Sequence, residues 1–333
     1  MATTAAAPRR RRRLWRVLRW LLLIGVPLLA ALIFFALLRP LTLLILTTQA
    51  RLWLYGIHSE YMEIPYAGSD HVRVHYFAGG SGDPVVLVHG LGGRAEDWAN
   101  LMPLLVQGHH RVYAIDLPGY GRSEWPQNAS YSIAEESQAV EAVMDQLHLA
   151  HTDLAGWSMG GWIAMQVALD QPQRIRRLAV FDSAGITFHL NWDTALFEPD
   201  TPQKLRDLDN LLWPKPAPPV PGFIQRAIFR YVDQHGWVVR RNMESMLTGD
   251  ALLDKKLGAL KMPMLIVWGQ QDHLLPVSMG EQIHHDVPQS EMEIFVDCGH
   301  LAAEQCAGRI APVVNGFLSG PAPIPGREAI VPQ

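Results

Sequence analysis

The sequence contains a serine, a histidine and an aspartate at positions that the fold could bring together, and these three residue types can cleave an ester. The serine is considered first. Ser158 stands in the pattern Gly156-x-Ser158-x-Gly160, between an apolar run at 152–157 and a helical stretch at 158–169. This pattern is typical of a strained strand-to-helix turn that exposes a serine hydroxyl. Small residues two positions before and after the serine let strand and helix pack closely at the bend. Ser158 is therefore the candidate nucleophile.

A serine hydroxyl needs a base to take its proton, and a histidine held by a carboxylate can act as that base. Asp272 and His300 each follow an apolar run that predicts a buried strand. Asp182 also ends such a run and is the alternative source of the carboxylate. Because the carboxyl ends of parallel strands share one edge of a sheet, we expect Ser158, Asp272 and His300 to meet there.

The oxyanion that forms when the serine attacks requires hydrogen-bond donors that are already in place. We expect the backbone amide of Met159, at the start of the helix, to be one of them. The second is expected from Leu91, because the glycine-rich run at 89–93 allows its loop a tight path.

The elements around these residues alternate between strands and helices. A hairpin at 61–77 precedes apolar runs that predict parallel strands at 83–89, 111–116, 152–157, 175–182, 262–268 and 292–296. This alternation indicates an α/β domain with a mainly parallel central sheet flanked by helices. We expect the core to cover 59–184 and 262–318. The Pro- and Gly-rich tail at 319–333 is expected to be disordered.

Residues 185–261 form an insertion where one crossover helix would suffice, and we expect them to cap the carboxyl end of the sheet. The stretch 223–246 has an apolar stripe at helical spacing that includes Ile228 and Tyr231. This stripe either packs on the core or lines an acyl site. On the second hypothesis we assign Ile228 and Tyr231 to substrate binding, together with Trp157 beside the serine.

The N-terminal region is basic and then apolar. Seven arginines in the segment 1–19 precede 19 uncharged residues at 20–38. At about 1.5 Å per residue these make about 28 Å of helix, close to the thickness of a bilayer core. We predict a transmembrane helix at 20–38, with a cleaved signal peptide as the alternative. The positive-inside rule then places the N-terminus in the cytoplasm and the catalytic domain outside. Residues 39–58 are expected to be an interfacial helix or linker, and a second span there would reverse the orientation.

Charge and composition exclude several other classes of protein. Residues 60–333 hold 19 basic and 32 acidic residues, a net charge of −13, which argues against a nucleic-acid partner. Cys298 and Cys306 are the two cysteines, and no disulfide framework is implied. No Cys/His cluster has zinc-ligand spacing and no phosphate-binding glycine motif is present, so we expect neither a metal nor a cofactor.

Five ordered motifs give the chain, from about 60 to 318, a resemblance to the α/β-hydrolase superfamily. They are His89-Gly-Leu-Gly-Gly, Asp116-Leu-Pro-Gly-Tyr-Gly-Arg-Ser, Gly156-Trp-Ser-Met-Gly-Gly, Trp268-Gly-Gln-Gln-Asp-His and Cys298-Gly-His. Within the superfamily the chain is similar to membrane-anchored monoacylglycerol lipases. The resemblance implies an α/β-hydrolase fold with a helical cap. It also implies a serine hydrolase that cleaves carboxylic esters of lipidic alcohols, monoacylglycerol first, through an acyl-enzyme.

Two alternatives from different classes stay open. A carbon–carbon bond hydrolase of dienone acids uses the same triad and needs a cation for the substrate carboxylate. The cap offers Arg226, Arg230, Arg240 and Arg241 for that purpose. A non-catalytic binding protein on a hydrolase scaffold is the other alternative. The expected partners are a lipidic ester as substrate and membrane lipid around the N-terminal helix, and the oligomeric state is left open.

Overall fold

The computed structural model describes residues 7–214, 216–321 and 324–332, and in this part of the chain nine strands form one sheet. The strands follow the order β1-β2-β4-β3-β5-β6-β7-β8-β9. They are β1 His58–Tyr66, β2 Ser69–Gly79, β3 Asp83–Val88, β4 His110–Ile115, β5 Thr152–Trp157, β6 Ile175–Phe181, β7 Met264–Gly269, β8 Ser290–Phe295 and β9 Arg327–Val331. The pairs β1–β2 and β2–β4 are antiparallel and every other pair is parallel. The predicted mainly parallel sheet is confirmed.

Helices cover both faces of the sheet, because side chains alternate along each buried strand. In β3, Val86 and Val88 join one apolar core and Val85 and Leu87 join the other. The helices are α1 Ala7–Leu38, α2 Pro40–Leu54, α3 Met102–Gln107, α4 Ile133–Gln146, α5 Met159–Asp170, α6 Pro202–Leu212, α7 Gly222–Leu247, α8 Val277–Asp286, α9 Ala302–Gln305 and α10 Ala307–Ser319. Helices α4, α5 and α8 pack on the first face, and α3 and α10 pack on the second.

Helix α1 stands apart from the sheet domain. Its segment Arg19–Leu38 is the one stretch in the described part of the chain that is long and apolar enough to cross a membrane, and none of it is buried. Helix α2 follows a bend at Arg39 and packs against α7 and β1, with Leu52 fully buried in the core. At about 22 Å for its 15 residues, α2 is shorter than a bilayer core. Of the basic segment 1–19, residues 1–6 lie outside the described residues.

The cap consists of two helices inserted between β6 and β7. Helix α6 begins at an N-cap, Thr201, whose hydroxyl accepts a hydrogen bond from the amide of Lys204. Helix α7 has 26 residues and is the longest helix of the sheet domain among those described. It packs against α2 and α4.

The prediction of a disordered tail at 319–333 is wrong for its described residues. The segment Arg327–Val331 forms β9, which pairs with β8 at the edge of the sheet. Arg327 forms ion pairs with Glu291 and Glu293 of β8. A strand that joins a sheet edge is stabilised mainly by the backbone of its neighbour and not by its own apolar content. Because composition does not show such a neighbour, it predicted disorder here.

Candidate active site

Ser158 sits on a sharp turn between β5 and α5, with backbone angles φ 57° and ψ −120°. A side chain at Gly156 would collide with the backbone of Gly160, and one at Gly160 would collide with the carbonyl oxygen of Val88. The two glycines therefore let α5 lie against the sheet directly behind the serine. A positive φ in a residue other than glycine is a strained conformation that this packing maintains. The turn presents the Ser158 hydroxyl at the carboxyl edge of the sheet.

The structure brings Ser158, His300 and Asp272 together in one hydrogen-bonded chain. Nε2 of His300 lies 3.0 Å from Oγ of Ser158. Nδ1 of His300 lies 2.7 Å from Oδ2 of Asp272. The other carboxylate oxygen, Oδ1, accepts hydrogen bonds from the amides of Leu274 and Leu275, both at 2.8 Å. These two amides fix the carboxylate, the carboxylate fixes the imidazole, and the imidazole can take the serine proton.

Asp182, the alternative carboxylate, lies near Asp272 but makes no hydrogen bond to the His300 imidazole in the described structure. Its oxygens accept hydrogen bonds from the amide of Gly269 at 2.7 Å and from the amide of Ala302 at 3.4 Å. Burial raises the pKa of Asp182 well above its ordinary value, and the charge of Asp272 raises it further. Asp182 joins two loops through these backbone amides, whereas Asp272 bonds the imidazole, so the geometry favours Asp272 for the orienting role.

Two backbone amides are available for the oxyanion. Among the residues that the structure describes, the amides of Leu91 and Met159 donate to no backbone or side-chain acceptor. Leu91 lines the cavity beside Ser158, and Met159 begins α5 immediately after it. The N-terminus of a helix also carries a partial positive charge. This arrangement fits the predicted donors.

A buried network shapes the loop that carries Leu91, and the sequence reasoning did not assign it a role. Nδ1 of His89 lies 2.8 Å from the carbonyl oxygen of Gly90, while Nε2 accepts a hydrogen bond from the amide of Leu117. Asp116 accepts from the amide of Ala95 at 2.6 Å and lies 2.7 Å from Nδ1 of His75. The motifs that begin at His89 and Asp116 therefore hold the two ends of the Leu91 loop. The sequence signal that could have revealed this network was the presence of these two motifs ahead of Ser158.

The two cysteines form a disulfide across the loop that carries His300. Cys298 and Cys306 are joined with their Cα atoms 6.3 Å apart, which is within the usual range for disulfides. Inside this loop the amide of Gly299 donates to Oε1 of Gln305 at 2.7 Å. Nε1 of Trp157 donates to the carbonyl oxygen of His300 at 2.6 Å. The backbone of His300 is thus held by the disulfide loop and by the Trp157 side chain. Trp157, which we predicted to bind substrate, therefore also positions the catalytic base.

Two cavities meet at Ser158, and they differ in chemistry. One, of about 190 Å³, is lined almost entirely by apolar side chains. Its lining includes Trp162, Ile186, Phe188, Trp192, Met243 and Met246. The other, of about 320 Å³, also contains His300 and polar side chains, among them Arg94, Asp97 and His235. We call them the apolar cavity and the polar cavity.

Helix α7 lines both cavities with different parts of its length. Ile228 and Tyr231, in its first half, line the polar cavity. Met243 and Met246, in its second half, line the apolar cavity. The structure therefore places the predicted substrate-binding residues Ile228 and Tyr231 at the polar cavity and not at the apolar cavity.

None of the four cap arginines lines either cavity in the described structure. Arg240 forms an ion pair with Glu198, and Arg241 donates to the carbonyl oxygens of Gln127 and Ala129. Arg226 and Arg230 are exposed. The cation that a dienone acid would need is thus absent from these positions.

Comparison with known proteins identifies one family, and the similar proteins include carbon–carbon bond hydrolases and a phospholipase. A family model described as alpha/beta hydrolase fold matches residues 83–217 and 225–305. The chain is similar to 2-hydroxy-6-oxononadienedioate/2-hydroxy-6-oxononatrienedioate hydrolase of Escherichia coli K12, with 27% identity over 79% of this chain and 96% of that protein.

Solved structures resemble the chain over most of its length. One is a membrane phospholipase A described as a bacterial virulence factor, with a TM-score of 0.74 and 26% identity over 89% of this chain and 97% of that one. Another is a meta-cleavage product hydrolase from Pseudomonas fluorescens IP01, with a TM-score of 0.68 and 22% identity over 77% of this chain and 97% of that one. The second likeness concerns the fold alone.

Proposed function

The chain belongs to the α/β-hydrolase family, and we propose that it is a serine hydrolase that cleaves carboxylic esters of lipidic alcohols, with monoacylglycerol as the representative substrate. The observation that carries this proposal is the apolar cavity, which begins at the Ser158 hydroxyl and has almost no polar lining. An acyl chain gains about 0.8 kcal/mol for each methylene that leaves water, so such a cavity selects lipidic acyl groups.

The reaction divides into two transfers. Ser158 Oγ attacks the ester carbonyl carbon while His300 takes the hydroxyl proton, and the amides of Leu91 and Met159 bind the resulting oxyanion. The bond to the alcohol oxygen then breaks, and His300 gives its proton to that oxygen. Water attacks the acyl-enzyme by the same route and releases the fatty acid. Asp272 keeps the imidazole oriented throughout.

The position of His300 supports an assignment of the two halves of the ester to the two cavities. His300 must reach the leaving oxygen to protonate it. It lines the polar cavity and not the apolar one. The alcohol therefore belongs in the polar cavity and the acyl chain in the apolar cavity.

We expect Met246→Trp to shorten the acyl chain that the enzyme accepts. The larger ring would fill part of the apolar cavity and remove several methylenes from contact, which lowers kcat/KM for decanoate or longer esters more than tenfold. Acetate esters should lose less than threefold. A p-nitrophenyl ester series from two to sixteen carbons measures this, with Glu244→Trp as the control, because Glu244 is exposed on the same helix and lines neither cavity. Equal losses at every chain length would contradict the acyl assignment.

Carbon–carbon bond cleavage of dienone acids is the second candidate, and the E. coli relative favours it. The same serine and histidine could serve that reaction. The almost entirely apolar lining of one cavity favours the ester. None of the four cap arginines lines either cavity, although Arg94 of the polar cavity could hold the carboxylate of a dienone acid. Direct comparison of a dienone acid with a monoacylglycerol, at equal concentration, separates the two candidates.

We propose that α1 anchors the enzyme in a membrane with the sheet domain outside the cytoplasm. The arginines before the span and the Cys298–Cys306 disulfide both support this orientation, because disulfides persist mainly outside the cytoplasm. Helix α2 brings Leu41 to the polar cavity, so the cavity reaches the part of the domain that follows the span. A lipidic ester could then enter without crossing water.

We expect alkaline phosphatase fused after residue 333 to be active in a bacterial host. A cytoplasmic fluorescent reporter at the same point should stay dark. The fusion point follows β9, so the sheet stays complete. The reverse pattern of reporters would show that the sheet domain faces the cytoplasm and that the arginine bias was misinterpreted.

A further inference from the structure

Arg94 is a cation in the polar cavity that neither the mechanism nor the sequence reasoning uses. It lies three residues after Leu91, on the loop that supplies the oxyanion amide, and it lines the cavity together with Ser158 and His300. Its guanidinium carbon lies 5.2 Å from the ring centroid of Tyr231, which holds the side chain against α7. Ser158 and Arg94 therefore face one shared space.

The guanidinium of Arg94 forms no ion pair and donates no side-chain hydrogen bond within the described residues. The nearby acidic groups have other hydrogen-bond partners or lie buried. Glu96 pairs with Arg122 at 2.7 Å. Asp97 accepts a hydrogen bond from the backbone amide of Arg94, and burial raises the pKa of Asp97 to about 7. Burial also raises the pKa of Glu304, which lines the same cavity.

A partly buried cation without a fixed partner is costly unless a ligand completes its hydrogen bonds. Arginine is suited to phosphate and carboxylate, because its planar fork donates two parallel hydrogen bonds to such groups. The position of His300 has already assigned the polar cavity to the leaving alcohol. An anion that contacts Arg94 would therefore sit on the alcohol half of the ester and not on the acyl half.

We propose that Arg94 forms an anion subsite for the leaving alcohol, so that the preferred substrates are monoacyl esters whose alcohol carries a phosphate or carboxylate group. This inference rests on the proposed ester hydrolysis and narrows its substrate class. The reaction is unchanged: the acyl–oxygen bond breaks, His300 protonates the departing oxygen, and the anionic alcohol leaves through the polar cavity.

Three substrates with the same acyl chain test the subsite: a 1-acylglycerol, its 3-phosphate, and the acyl ester of glyceric acid. They are compared in neutral detergent with the full-length protein. The wild-type protein should prefer at least one anionic ester to the neutral one. In Arg94→Gln the ratio of kcat/KM for that ester to kcat/KM for acylglycerol should fall about tenfold to hundredfold, as expected when a charged hydrogen bond is lost. The anionic ester with the larger fall identifies the group.

Two further variants keep this test decisive. Arg94→Lys retains the charge without the fork and should recover part of the ratio. Arg230→Gln removes one positive charge from an exposed position of α7 and should leave the ratio unchanged. An unchanged ratio in Arg94→Gln, or an equal fall in Arg230→Gln, overturns the subsite but not ester hydrolysis. Failure of the wild-type protein to cleave any of the three esters overturns the proposed function itself.

Discussion

Ser158→Ala is expected to abolish ester hydrolysis, with kcat reduced on the order of 10⁶-fold, because no other group can form the acyl-enzyme. The fold should remain intact. The side-chain hydrogen bond of Ser158 in the structure is the one to His300, and alanine occupies the same strained turn no less easily. Hydrolysis of a medium-chain p-nitrophenyl ester measures the loss, and a fluorophosphonate probe should label the wild-type protein alone.

The matched control for this variant is Ser278→Ala, an exposed serine on α8 that lines neither cavity. It should keep full activity and full labelling. Thermal unfolding of both variants should match that of the wild-type protein. Activity of Ser158→Ala within tenfold of wild type, in a preparation free of other esterases, would remove the nucleophile assignment.

Asp272→Asn is expected to lower kcat about 10⁴-fold, and Asp182→Asn less than tenfold. An amide at position 272 would stabilise the wrong tautomer of His300. Its carbonyl oxygen would keep accepting from the amides of Leu274 and Leu275, so its NH₂ group would face Nδ1 and donate to it. Asp182 accepts hydrogen bonds from two backbone amides and not from His300, so an amide of the same shape there leaves the imidazole oriented. The two variants differ mainly in their contact with the imidazole.

Esterase kinetics and thermal unfolding should be measured together for this pair. Asp182→Asn should show its effect chiefly as a lower midpoint of unfolding, since Asp182 joins the loops at Gly269 and Ala302. If Asp182→Asn proved the more damaging variant for kcat at unchanged stability, the orienting carboxylate would have to be reassigned to β6.

The positions of the three triad residues could be predicted from the sequence because each is marked by a local signal, the apolar strand that precedes it. Ser158, Asp272 and His300 each follow a recognisable strand, and parallel strands must end at one edge. The strand-to-helix turn at Ser158 was readable for the same reason: its glycines are required by contacts within a few residues. The catalytic roles themselves stay predictions until the variants are measured.

What the sequence did not show depends on contacts between distant segments. The strand at Arg327–Val331 forms against β8, and its Pro- and Gly-rich surroundings give no sign of that partner. The pairing of Cys298 with Cys306 depends on a Cα separation that spacing along the chain does not determine. Arg94 reaches the cavity because the His89 and Asp116 network bends its loop. Each of these features needed the folded geometry.

The close packing of α2 on the sheet domain, with Leu52 in the core, determines how far the catalytic serine can move from the proposed bilayer. A flexible tether would let the domain sample a volume of water, whereas a docked helix keeps it at one height above the lipid. Substrate search then takes place in two dimensions. The rate should follow the mole fraction of ester in the surface and be insensitive to its bulk concentration, so diluting the ester with inert lipid should slow turnover even when the total ester is held constant.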